Sequence, residues 1–130
     1  MTRILLIDDE EQIRLTIGEL LRVTGYDVVV AADGQEGLDL FRQQTFDLVI
    51  TDLLMPKKGG LETIADLRRL KPELKIIATY GGGRIGDSSV PRTGQSLGAD
   101  RLLRKPITFS ELKQAVADVL NVSPDKPERT

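Results

Sequence analysis

The chain has 130 residues, with 18 basic against 20 acidic side chains for a net charge of −2, and it contains neither cysteine nor histidine. That length suits one domain with a real core, and the interspersed charges offer no polycationic surface for direct nucleic-acid binding. Disulfides, thiol nucleophiles, zinc–thiolate sites and imidazole catalysis are excluded, and no apolar run approaches the roughly 18 residues of a membrane span, so we expect a cytosolic protein working with carboxylates, lysine, hydroxyls and backbone.

Residues 3–7 form a near-continuous apolar run that stops at Asp8-Asp9-Glu10-Glu11, which reads as a buried first strand ending in acid. From Glu10, Ile13, Ile17, Leu20 and Leu21 recur at helical spacing, and Gly25 suits the C-terminal stop. Residues 26–32 read as a second strand, followed by Asp33-Gly34 and a helix with Gly37, Leu38 and Phe41 on one face. Leu48, Val49 and Ile50 make a third strand that runs into Asp52 and then into Met55-Pro56 and Gly59-Gly60.

Residues 61–70 are expected to be a helix with Leu61, Ile64, Leu67 and Leu70 on one stripe, closed by Lys71-Pro72. Residues 75–80 read as the fourth strand, and the glycine-rich stretch 81–89 as a long mobile loop. Pro91 and Gly94 allow only a short or irregular helix over 90–97. Residues 100–104 give a short fifth strand ended by Lys105-Pro106, and Ser110 caps a last helix with Leu112, Val116, Val119 and Leu120 inward. We read 1–121 as the folded domain and 122–130 as a disordered polar tail. Alternating short apolar strands and helices imply an α/β fold, a doubly wound five-stranded parallel sheet covered on both faces.

Three of these strands end in a chemically telling residue: Asp8-Asp9, Asp52 and Lys105. Taken singly, Asp52 equally suits a turn, Asp8 and Asp9 the positive end of a helix, and Lys105 the surface before a proline. In a sheet of order 2-1-3-4-5, however, the first and third strands are neighbours at the switch point, so the acids converge. Like charges at close quarters stay ionised only beside a cation, and all-oxygen ligands open to water suit Mg2+. A carboxylate nucleophile, a divalent metal and a lysine together make a phosphoryl-accepting site.

Ile7-Asp8-Asp9-Glu10, Thr51-Asp52-Leu53-Leu54-Met55-Pro56 with Gly60 four residues beyond the proline, and Lys105-Pro106 before a capped helix together resemble the receiver domain of two-component response regulators, over about residues 3–121. The resemblance implies the flavodoxin-like receiver fold. It further implies that Asp52 accepts a phosphoryl group from a histidine kinase or phosphotransfer protein, with slow self-dephosphorylation and no independent substrate turnover. Asp9, Asp52 and the main-chain carbonyl of Leu54 would bind Mg2+, Asp8 would assist through water, and Lys105 would contact the phosphoryl group. A cis Lys105–Pro106 bond is expected on the same ground. The downstream protein is not readable, and neither DNA nor a membrane is an expected direct partner.

Two positions depart from the family pattern. The hydroxyl that ends the fourth strand in the family falls here on Tyr80, with Thr79 one position early; a one-residue slip reverses the face, so Thr79 replaces it only if the strand end is distorted. Tyr80 either points outward or crowds the site. Three residues before Lys105, where an aromatic switch is usual, this chain has Leu102. We therefore expect loop 81–89 to be the moving part, while Lys57, Lys58 and Arg84 flank the site, as solvated turn charges or as charges that steer an anionic donor. The rival readings are a non-cycling pseudo-receiver acting as a protein-binding module and, less favoured because position 54 is leucine and not a second acid, a Mg2+-dependent hydrolase.

Overall fold

The computed structural model describes residues 1–55, 59–81 and 98–122. The expected loop beyond Gly81, the irregular helix over 90–97, the flanking charges Lys57, Lys58 and Arg84, and the tail from 123 onward lie outside the described residues. Five strands, β1 (Arg3–Ile7), β2 (Asp27–Ala31), β3 (Leu48–Asp52), β4 (Lys75–Tyr80) and β5 (Arg101–Arg104), form one parallel sheet in the order β2-β1-β3-β4-β5. Helices α1 (Glu11–Thr24), α2 (Gly34–Gln43), α3 (Gly60–Leu70) and α4 (Phe109–Leu120) cover it.

Continuous apolar strands follow from burial on both faces, with side chains alternating between them. Leu5, Ile7, Val49, Ile76 and Ala78 pack towards Leu38 of α2 and Ile64 and Leu67 of α3. Ile4, Leu6, Leu48, Ile50 and Ile77 pack the other way, towards Ile17 and Leu21 of α1 and Leu112 and Val116 of α4. No described helix is long and apolar enough to cross a membrane.

The helix ends correct the sequence reading in two places. The last helix is capped by Thr108, not Ser110: Thr108 and Glu111 form a reciprocal capping box, and Ser110 already lies in the first turn. Leu61 and Leu70 are exposed, and α3 instead buries Gly60, Thr63, Ile64 and Leu67. The cause is geometric, because each step of three residues falls about 60° short of a full turn. Three such steps place Leu61 and Leu70 on opposite sides of the helix. Three strand ends also shift by one residue, β2 running from Asp27 to Ala31 and β5 beginning at Arg101. The Gly25 stop holds, in the left-handed region at φ 119°.

Arg68 ties α3 to the start of β5. Its Nε and Nη2 donate to the Gly98 carbonyl at 2.9 and 2.7 Å, and Nη2 also meets Asp100 Oδ2 at 3.1 Å. Asp100 Oδ2 in turn accepts the Ile76 amide at 2.8 Å, so one carboxylate sets the beginnings of two strands. At the open edge of the sheet, Arg22 Nη2 donates to the outward-facing Val28 carbonyl of β2 at 3.1 Å. The Lys105–Pro106 peptide bond is cis.

Leu67 is fully buried, whereas Leu70 is 45% exposed. Leu67→Ala is therefore expected to lower unfolding free energy by about 2–5 kcal/mol, and Leu70→Ala to leave it within about 0.5 kcal/mol. Urea unfolding of the two variants checks the assignment of the α3 face.

Candidate functional site

The register of the central strands builds the site. β1 and β3 are neighbours with Ile7 opposite Thr51, so the next residue on each, Asp8 and Asp52, emerges at the same level of the sheet. Both are buried, at 1% and 5% exposure. Lys105 follows β5, which is not adjacent to β3, and its side chain reaches over β4. Its Nζ donates to Asp8 Oδ2 at 2.9 Å, Asp52 Oδ2 at 3.3 Å and Glu10 Oε1 at 3.5 Å. Asp9 is exposed, but one carboxylate oxygen from each of Asp8, Asp9 and Asp52 lies within 4.8 Å of the others.

Two glycines permit these approaches. A Cβ on Gly60 would sit 2.2 Å from the Asp52 carbonyl oxygen and 2.5 Å from Leu53 Cα, so only glycine lets α3 begin directly beneath the acid. Gly81 adopts φ 111°, and a Cβ there would lie 3.2 Å from the Lys105 carbonyl oxygen. Just before it, the Lys105 amide donates to the Tyr80 carbonyl at 2.7 Å.

Burial pushes the Asp52 carboxyl up to about 6, with the Asp8 charge adding to the rise and the Lys105 charge and Leu54 amide opposing it. For Lys105, burial disfavours the ammonium, yet its hydrogen bond to Asp8 and the Asp52 and Asp8 charges outweigh that, and the net direction is upward. One ammonium thus serves a cluster of acids without fully neutralising it. The donor set fits a hard divalent ion: three carboxylates, with one oxygen from each within 4.8 Å of the others, are the kind of oxygen ligands that Mg2+ takes.

Of the other residues singled out in the sequence, Leu54 donates its amide to Asp52 Oδ1 at 3.3 Å, which orients the carboxylate. Thr79 is buried and directly opposite Asp52 in the β3–β4 ladder. On its other side β4 pairs regularly with β5, Thr79 opposite Leu103 and Tyr80 opposite Arg104, without the distortion that moving Thr79 into the family's hydroxyl position requires. Tyr80 is half-buried and packs, like Leu102, against the α2/α3-side core. Two residues were given no part in the site by the sequence reading, which placed Glu10 only in the first motif and at the start of the first helix. Glu10 pairs with Lys105, and Arg14 Nη1 donates to the Asp8 carbonyl at 2.7 Å. Their only signal was position, at or within the first turn of the helix that follows the first acid pair.

The chain is similar to known proteins in sequence and in fold. The family model for the response regulator receiver domain matches residues 4–117. The transcriptional regulatory protein CpxR of Escherichia coli strain K12 is 37% identical over 123 residues, covering 95% of this chain and 51% of that protein. The probable transcriptional regulator ycf27 of Porphyridium aerugineum is 39% identical over 118 residues, covering 91% and 48%. The chain therefore spans about half the length of these curated relatives. Among solved structures, the response regulator TrrA of Thermotoga maritima, in complex with Mg2+ and BeF, is similar at TM-score 0.78 and 37% identity, covering 92% and 99% of the two chains. A receiver domain protein from Clostridium thermocellum is similar at TM-score 0.81 and 32% identity, covering 93% and 95%.

The raised Asp52 carboxyl makes stability depend on pH. Its value in the folded state, about 6, exceeds the reference 3.8, so its stabilising contribution is fully present below pH 3.8 and is lost as pH rises through about 6. Asp52→Asn removes this loss. In chelator at pH 8 the variant is expected to be more stable than wild type by up to about 3 kcal/mol, from roughly two pKa units, with the difference shrinking towards pH 4. Urea unfolding at the two pH values measures it, and an equal difference at both would contradict the electrostatic account.

Proposed function

The chain belongs to the response regulator receiver domain family, and from that premise we propose that it is a phosphorelay switch whose acceptor is Asp52. The observation that carries this reading is the contact of one ammonium, Lys105 Nζ, with both buried acids, Asp8 at 2.9 Å and Asp52 at 3.3 Å. An Asp52 oxygen attacks the phosphorus of a phosphohistidine on a kinase or phosphotransfer protein. The Oδ–P bond forms as the P–N bond breaks, and the electron pair leaves on the imidazole nitrogen. The Leu54 amide holds Asp52 in orientation, and Lys105 follows the negative charge onto the transferred phosphoryl oxygens.

Asp9, Asp52 and the Leu54 carbonyl would hold Mg2+, with Asp8 acting through water; the ion supplies neutralisation of phosphoryl charge. Slow hydrolysis of the acyl phosphate then resets the protein, which turns over no independent substrate. The output is altered binding of a downstream protein. The packing of Tyr80 and Leu102 into the α2/α3-side core favours a second reading, in which the fold persists as a binding module without cycling.

Acetyl phosphate with Mg2+ is expected to add one phosphoryl group by intact mass to wild type and none to Asp52→Ala, with no addition in chelator. A wild type that stays unmodified would favour the binding-module reading. Because the metal needs Asp52 ionised, apparent Mg2+ affinity should fall as pH drops through about 6. The fall should approach about tenfold per pH unit, and calorimetric titration measures it.

A further inference from the structure

An ammonium group has three protons to donate, and Lys105 directs them to Asp8, Asp52 and Glu10. The first two partners are buried, their side chains 2% and 6% exposed, whereas Glu10 is 55% exposed at the mouth of the site. The backbone of Glu10 is fixed from both sides. Its amide donates to Asp8 Oδ1 at 2.9 Å, and its carbonyl accepts the Ile13 and Arg14 amides at 3.1 Å each. Although Glu10 is the N-cap residue of α1, its side chain caps nothing and is left free to reach Lys105.

We infer that Glu10 is a positioning residue that sets the rate and donor preference of Asp52 phosphorylation. It occupies the proton of Lys105 that an incoming phosphoryl group must take. This inference rests on the receiver reading above. A phosphoryl dianion arriving from solvent meets three acids around Lys105, and the long, exposed contact to Glu10 is the least costly to displace. Until displaced, the Glu10 carboxylate both blocks that donor and repels the anion. During transfer from acetyl phosphate the Asp52 Oδ–P bond forms and the P–O bond breaks with its electron pair on acetate. Glu10 swings into solvent without exchanging a proton.

The test compares wild type, Glu10→Gln and Glu10→Asp, with initial phosphorylation rates read by intact mass in saturating Mg2+. Acetyl phosphate and the less charged phosphoramidate serve as donors. Glu10→Gln is expected to charge about two- to five-fold faster with acetyl phosphate, the range an exposed ion pair supports, and to gain less with phosphoramidate. The gain should shrink in 1 M salt, where screening acts within about 3 Å. Glu10→Asp shortens the arm and frees the Lys105 proton but keeps the repelling charge, so it should charge faster than wild type and more slowly than Glu10→Gln. Equal rates for Glu10→Gln and wild type, or wild-type behaviour of Glu10→Asp, would overturn the inference and leave the receiver reading standing. Failure of wild type to accept phosphate from either donor would remove both.

Discussion

The structure depends on forcing like charges together. Asp8 and Asp52 emerge from adjacent strands into a nearly dry corner, Asp9 and Glu10 crowd its mouth, and one ammonium answers Asp8, Asp52 and Glu10. The backbone enforces this arrangement against the preference of the side chains. The β1–β3 register leaves the two strand tips no freedom to separate, and both strands are buried on both faces by apolar contacts. Core burial thus stabilises the domain enough to tolerate a corner that opposes folding. That opposition becomes useful when a cation or a phosphoryl group arrives, because each relieves repulsion already present in the unliganded protein.

Lys105 makes sense on the same terms. An ammonium on β3 or β1 would neutralise the acids permanently and leave little for an incoming ligand to do. Placed just past the edge strand and reaching over β4, it contacts one carboxylate and another from a backbone that belongs to neither. Gly81 and the Tyr80 carbonyl hold its backbone, so the movable part is confined to the side chain. Gly60 plays the corresponding role beneath Asp52, where any larger residue would push α3 off the acid's own carbonyl.

Much of the fold and of the acid cluster was legible in the sequence because both are written in local patterns. Apolar runs such as Ile4–Ile7 specify strands buried on two sides, and acids that end such runs must lie at the sheet's carboxyl edge. What escaped depended on finer geometry. The stripe Leu61–Ile64–Leu67–Leu70 looks helical by eye, but its period of three rotates the outer leucines into solvent. Ser110 has the chemistry of a cap, yet Thr108 wins because Glu111 stands where it can answer in return. The position of Thr79 opposite Asp52 is a matter of register, which a strand's composition does not encode. The Glu10–Lys105 pair required knowing that a lysine on one edge spans an intervening strand.

The Arg22 contact at the open edge of β2 has a consequence for how copies of this protein meet in concentrated solution. An unpaired strand edge is an invitation to any extended chain, since its backbone groups are already spaced for another ladder. The guanidinium of Arg22 fills one of those acceptor positions and sets a positive charge beside it. A second sheet approaching that side would have to evict the arginine before it could use that position. The same helix that covers the core therefore discourages annealing between neighbours.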